Sequence, residues 1–295
     1  MRLVSPASPI APEKVQPFAR MVEEAGYALS LGDHVFDSDF YLAGTDRDRA
    51  EDLQRAFADD RVQAVMCSRG GYGCARLLPY LDLDAMARTG KPFIGFSDVT
   101  TFHIALNRRG LPTLHAPMAI SFSVEREPWV IDSFLRAIRG ADPIVSEAPK
   151  GKTLVHGQAE GIVTGGCLCL LTDSIGTPDP LDCGGKILLI EDVDENPHRV
   201  DAMLTHLLLA GQLQRAAGIV VGEMTRTDEK LDESIGSRPW REIVRDRLGV
   251  LDVPSIVDFP FGHCKNMLTL PLGIRARLDA NLGTLTYLDG LTVDI

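Results

Sequence analysis

The stretch KPFIGFSDVTTFHIALNRRG, residues 91–110, decides the fold. Residues 92–96 form a short apolar run of the kind that fills a buried strand. The run ends at Ser97, and residues 99–107 then read as a helix stopped near Gly110. The same order occurs one step upstream, where the apolar run 62–67 ends in SRGGYG, residues 68–73. Earlier still, Val15, Phe18, Val22 and Ala25 recur at helical spacing before Gly26, and Ala50, Leu53 and Phe57 repeat the pattern after Thr45. Strands alternating with helices predict an α/β domain with a parallel sheet covered on both faces.

The second half reads differently. Residues 154–164 are interrupted by glycine and partly alternating, as an exposed or curved strand is. Residues 187–190 are fully apolar and end in Glu191-Asp192. A helix is expected over 198–210 with Gly211 as its stop, and further strands over 219–221 and 256–259. From Met267 the pattern is strand-like, with turns at 272–273 and 281–283. The segment ADPIVSEAPKGKT, residues 141–153, is rich in proline and small polar residues, as linkers are. The boundary is therefore expected between Ala141 and Gly157, giving an N-terminal domain over 1–145 and a C-terminal one over 157–295.

The chain has 295 residues, 45% hydrophobic and 24% charged, which is enough for a sizeable core and excludes a disordered or fibrous chain. Thirty basic against 41 acidic residues give a net charge of −11. Such a chain lacks the basic footprint of a nucleic-acid binder and suits anionic membrane surfaces poorly. No apolar run approaches the roughly 18 residues of a membrane span. The start, MRLVSPASPIAPEK, places Pro and Ser where a signal peptide needs unbroken apolar residues, so the expected location is cytoplasmic. The six cysteines are expected to be idle thiols. Cys167-x-Cys169 is the only close pair and has no second pair or nearby His in sequence, so no metal is expected.

Four places carry chemistry. Ser97 in IGFSDVT stands at a strand-to-helix turn, where a nucleophile's side chain clears the sheet and the next backbone N–H can face an oxyanion. The fifth position is Val99 rather than Gly, and the plainer reading is a helix cap. SRGGYG can present backbone N–H groups to an anion, although it lacks a Walker ending and a G-x-G-x-x-G spacing; its plainer reading is a tight turn. Glu191 and Asp192 emerge at a strand end, where sites gather in open α/β sheets, or else cap the next helix. His263 in FPFGHCKN follows a glycine on a loop after a strand; His115 in LHAP is a weaker second candidate. Cys264, beside His263, cannot easily aim its sulfur at its neighbour's ring. Ser97, Glu191 and His263 together supply nucleophile, carboxylate and base in the chain order of α/β-hydrolases. On these residues alone a serine hydrolase is one of several open readings.

YLAGTDRDRAEDL, RGGYGCARLL, GFSDVT, IEDVDENPHRVDAML and FGHCKNMLTLPLG, in that order, resemble the LD-carboxypeptidases of the peptidase S66 family, which includes murein tetrapeptide carboxypeptidase and the microcin-immunity peptidases. The likeness runs from SPAS, residues 5–8, to the last strand. It implies a Rossmann-like N-terminal domain, a smaller C-terminal domain of mixed or barrel-like sheet, and a triad assembled across the two. It implies a metal-independent serine peptidase, with no cofactor, whose nucleophile matches Ser97, whose glutamate matches Glu191 and whose histidine matches His263. The oxyanion donors implied are the backbone N–H groups of Gly71 and Asp98. The implied reaction releases the C-terminal D-Ala of a murein tetrapeptide during peptidoglycan recycling, and the implied assembly is a homodimer. Arg69, adjoining the oxyanion loop, is a candidate for the substrate carboxylate, or packs back into the domain.

Two departures stand out. Relatives commonly show G-G-N-L where this chain has Gly165-Gly166-Cys167-Leu168, and H-G-P where it has His115-Ala116-Pro117. The rival within the family is cleavage of a microcin-like peptide-nucleotide, which calls for aromatic stacking. Only Trp129 and Trp240 are present, and Trp240 alone has a loop-like context. A rival of another class is a non-catalytic anion- or nucleotide-binding module built on the GGYG loop.

Overall fold

A computed structural model describes residues 1–290, so residues 291–295 of the expected C-terminal domain lie outside the described residues. The chain forms two compact units. The first comprises Met1–Pro143 with Thr269–Gly273, the second Ile144–Leu268 with Ile274–Gly290.

The first unit runs β1 (Arg2–Val4), α1 (Pro12–Glu24), β2 (Ser30–Leu31), α2 (Asp46–Ala58), β3 (Val65–Cys67), α3 (Leu83–Arg88), β4 (Phe93–Gly95), α4 (Thr100–Asn107), β5 (Thr113–His115) and α5 (Pro128–Ile138). Among the described residues its sheet has six strands in the order β11-β5-β4-β3-β1-β2, where β11 is Leu270–Leu272. Five are parallel, and β11 closes the edge antiparallel to β5, with Leu270 opposite His115. That pairing is why five residues of the C-terminal stretch belong to the first unit. This is the Rossmann-like α/β arrangement expected. Every residue of β3, β4 and β5 is buried, as strands covered on both faces must be. Phe93 seats the helix that follows: its ring lies 5.7 Å from Phe102 of α4 and 6.0 Å from Phe57 of α2. Each such buried side chain contributes about 1.5–3 kcal/mol.

The second, slightly smaller unit runs β6 (Lys152–Val155), β7 (Gln158–Cys167), α6 (Leu168–Asp173), β8 (Ile187–Val193), α7 (Pro197–Leu209), β9 (Gly218–Thr225), α8 (Trp240–Leu248), β10 (Ser255–Val257), β12 (Arg275–Asp279) and β13 (Thr284–Tyr287). Its strands lie in the order β13-β12-β7-β8-β9-β10-β6. The central four are parallel, while β6, β12 and β13 are antiparallel to their neighbours. The sheet curls until its ends meet. Gly151 N donates to Gly283 O at 3.0 Å, and Thr153 Oγ1 to Ala280 O at 2.7 Å. The expected single strand over 154–164 is two strands broken at His156-Gly157, where Gly157 has φ +136°. Trp240 corrects a second expectation. It opens α8 and is 2% exposed, so its ring belongs to the core rather than to a loop.

Candidate active site

Ser97 lies in the first unit. β4 ends at Gly95, and a 3-10 turn over Ser97–Val99 leads into α4. Ser97 has φ +67°, a left-handed conformation that costs a non-glycine residue about 1–2 kcal/mol. The capping reading fails on this backbone, since an N-cap residue is extended and the residue before α4 is Val99, which makes no side-chain cap. A serine held in strain between strand and helix is the geometry of a nucleophile elbow.

The glycine loop lies against it. A Cβ on Gly70 would sit 2.9 Å from Ser97 Cβ and 3.0 Å from Ser97 Oγ, so a side chain there would collide with the serine. Gly71 has φ +115°, and a Cβ there would meet Ser8 Oγ at 2.2 Å. The loop is held from several sides. Ser8 N donates to Gly70 O at 3.3 Å, and Ser8 Oγ accepts from Tyr72 N at 3.3 Å. Arg49 Nη1 donates to Gly73 O at 3.2 Å and also to Pro6 O, while its Nη2 pairs with Asp46. Asp98 ties loop to elbow by accepting from Cys74 N at 2.8 Å, and burial pushes its carboxyl above the usual range. Burial also drives the Cys67 and Cys74 thiols well up, so both stay protonated. Sequence reasoning missed Arg49 and the Asp98 side chain. It also missed His103, whose Nε2 donates to Gly95 O at 2.8 Å and fixes the strand end before Ser97. Burial and the neighbouring His115 push His103 down to about 3, so its ring is neutral. His115 is itself fully buried in β5. Arg69 Nη1 donates to Pro9 O at 3.3 Å, and its Nε is buried with no partner among the described residues.

Glu191 and His263 both lie in the second unit. Glu191 and Asp192 stand near the end of β8, beside a register shift against β9, in a strand whose residues from Ile187 to Asp192 are all buried. Glu191 is fully buried. His263 Nδ1 lies 2.7 Å from Glu191 Oε2, and the His263 backbone N–H donates to the same oxygen at 3.2 Å. Gly262 makes the approach possible. It has φ +95°, and a Cβ there would come 2.5 Å from Glu191 Oε2. Burial works against a charged imidazole, yet the Glu191 carboxylate outweighs it and holds His263 above its ordinary range. Asp192 makes no hydrogen bond to His263, but its charge adds a smaller share to the same rise. Burial first and the Glu191 charge second push its carboxyl up to about 6.

Two clusters among the described residues have donor atoms close enough for a metal: Cys167 with Cys169 and Asp192, and the surface group His34, Asp37 and Asp48. In the surface group His34 Nδ1 already pairs with Asp37 at 2.7 Å, and Asp48 accepts from Thr45 Oγ1 at 2.7 Å.

Residues 1–116 match the N-terminal domain of LD-carboxypeptidases of the peptidase S66 family, and residues 160–278 match its C-terminal domain. A Streptomyces coelicolor protein provisionally named a carboxypeptidase is 41% identical over 293 residues, covering 96% of this chain and 91% of its own. The murein tetrapeptide carboxypeptidase of Pseudomonas aeruginosa is 34% identical, covering 95% of this chain and 92% of its own. The crystal structure of muramoyltetrapeptide carboxypeptidase from Oxalobacter formigenes superposes with a TM-score of 0.84 at 27% identity, covering 97% and 98% of the two chains. With both domain profiles matched and such relatives spanning nearly its whole length, this chain belongs to the LD-carboxypeptidase family.

Proposed function

We propose that the protein is a serine LD-carboxypeptidase that removes the terminal D-amino acid from murein tetrapeptides. The observation that carries the reading is the His263–Glu191 pair. A fully buried carboxylate takes Nδ1 of a partly exposed imidazole, which fixes the tautomer and leaves Nε2 as the basic nitrogen.

In the proposed mechanism His263 Nε2 takes the Ser97 proton as Oγ attacks the carbonyl of the L-centre. The reading requires Nε2 to reach Ser97 Oγ. Glu191 stabilises the imidazolium that forms. The N–H groups of Gly71 and Asp98 receive the oxyanion; one such donor is typically worth about 2.7–4 kcal/mol. The imidazolium returns its proton to the leaving D-amino acid nitrogen. Water, deprotonated by the same imidazole, then attacks the ester, and the imidazolium returns that proton to Ser97 Oγ as it leaves. Arg69 is the proposed partner of the substrate's free carboxylate, through donors other than the Nη1 that binds Pro9 O. The proposal includes a homodimer in the cytoplasm. Among the described residues no helix is long and apolar enough to cross a membrane.

The test is mass spectrometry of a murein tetrapeptide, free and on its disaccharide, after incubation with wild-type and Ser97→Ala protein. Loss of one alanine residue with wild type alone is the expected result. An intact tetrapeptide beside cleavage of a peptide-nucleotide would move the substrate to the microcin class. Equal cleavage by both proteins would remove Ser97 as nucleophile.

A further inference from the structure

Cys167 closes β7, and Cys169 lies two residues on, in the first turn of α6. Their sulfurs are 3.5 Å apart, and Cys167 Sγ is 3.4 Å from Asp192 Oδ1. The three donor atoms all lie within 4.8 Å of one another. On a tetrahedral ion with metal–sulfur bonds of about 2.3 Å, two sulfurs stand roughly 3.8 Å apart, and a sulfur and a carboxylate oxygen roughly 3.6 Å. The observed spacings fall a few tenths of an ångström short of those values, within reach of side-chain adjustment. Cys167 and Asp192 are buried, whereas Cys169 is half-buried and leaves one side of the cluster accessible.

Asp192 adds an independent reason. It is 1% exposed and accepts N–H groups from Cys169 at 2.9 Å and Val193 at 2.7 Å. Among the described residues no Lys, Arg or His side chain pairs with it. A buried carboxylate without a cation in hydrogen-bond contact favours a positive guest.

We propose that Cys167, Cys169 and Asp192 form a binding site for one thiophilic divalent cation of the zinc class, with the fourth coordination position left to water. Two sulfurs and one carboxylate suit a borderline-soft ion, whereas magnesium and calcium take oxygen donors. On binding, both thiols release their protons to solvent and Asp192 coordinates as the anion. Cys167 is the cross-strand partner of Glu191, which sets the ion next to the strand position that holds His263. The site stands whether or not the serine peptidase reading does.

Cadmium titration of the intact chain under reductant tests it, read by thiolate-to-metal absorption, protons released and metal per chain. Wild type is expected to bind one Cd²⁺ with thiolate absorption and release of two protons. Cys167→Asn and Cys169→Ser are each expected to lose that absorption and bind about tenfold more weakly or worse. Cys264→Ser is expected to behave as wild type. No thiolate absorption in wild type overturns the proposal. So does an unchanged titration in Cys167→Asn, or loss of the signal in Cys264→Ser instead. Conversion of Cys167 and Cys169 to a disulfide under the same reductant, with no metal retained, overturns it as well.

Discussion

His263 holds one oxygen of Glu191 twice, through Nδ1 at 2.7 Å and through its own backbone N–H at 3.2 Å. The ring is oriented by backbone as well as by charge, and the carboxylate raises its basicity. For a general base this sets the pH dependence. On the proposed mechanism the neutral imidazole is the active form, so the acid limb of kcat/KM is expected to fall above the ordinary imidazole value of about 6.5. Glu191→Gln should move that limb to lower pH and cut kcat by about 10²–10⁴, because the wrong tautomer becomes available. The pair also contributes stability with a definite sign. Its contribution is full below about pH 6.5 and is lost as pH rises through the raised folded value. Urea midpoints across neutral to alkaline pH would show that decline in wild type and its absence in Glu191→Gln.

Ser97 permits a separation of strain from chemistry. Its φ of +67° is unfavourable for any residue with a Cβ. Ser97→Ala keeps the strain and Ser97→Gly removes it, so the glycine variant should be the more stable of the two by about 1 kcal/mol. Both should be inactive as peptidases. Equal denaturation midpoints for the two variants would show that the elbow is not strained.

The strands bearing Ser97 and Glu191 were legible because a short apolar run followed by a helix start or a charged pair is a local signal. Gly262 before His263 was legible as a motif, although only the structure gives the reason, a glutamate with no room for a Cβ beside it. What was not legible depends on partners far along the chain. Leu270-Pro271-Leu272 pairs with Thr113–His115, and nothing local to either segment names the other. Arg49 shares the buried face of α2 with Leu53 and Ala56, and the groups its two terminal nitrogens bind, two loop carbonyls and Asp46, include loops distant in sequence that nothing local names. Asp192 completes the Cys167-x-Cys169 cluster from a strand 25 positions away, so the pair looked incomplete in sequence.

Gly262→Ala tests how tightly the loop over Glu191 is built. The added Cβ would lie 2.5 Å from Oε2 and 2.6 Å from Cγ of a buried side chain, at φ +95°. The loop must retreat, carrying His263 with it. The expected result is a loss of about 1–3 kcal/mol of stability together with a fall in kcat and little change in KM. A variant with wild-type kcat would show that His263 is not positioned by this contact.

His103 gives the chain an acid limit of its own. Its ring is fully buried, donates Nε2–H to Gly95 O at 2.8 Å and is pushed down to about 3 by burial and His115. In the unfolded chain the same ring takes a proton near 6.5. Its contribution to stability is therefore lost as pH falls from about 6.5 toward 3, at up to about 1.4 kcal/mol per pH unit. His103→Gln keeps a donor for Gly95 O and removes the titration. That variant should start less stable at neutral pH, because a flexible amide replaces a packed ring 5.9 Å from Phe93. It should then lose stability less steeply than wild type between pH 6.5 and 4. Parallel slopes for the two proteins in that window, read from urea midpoints, would show that His103 does not set the acid limit.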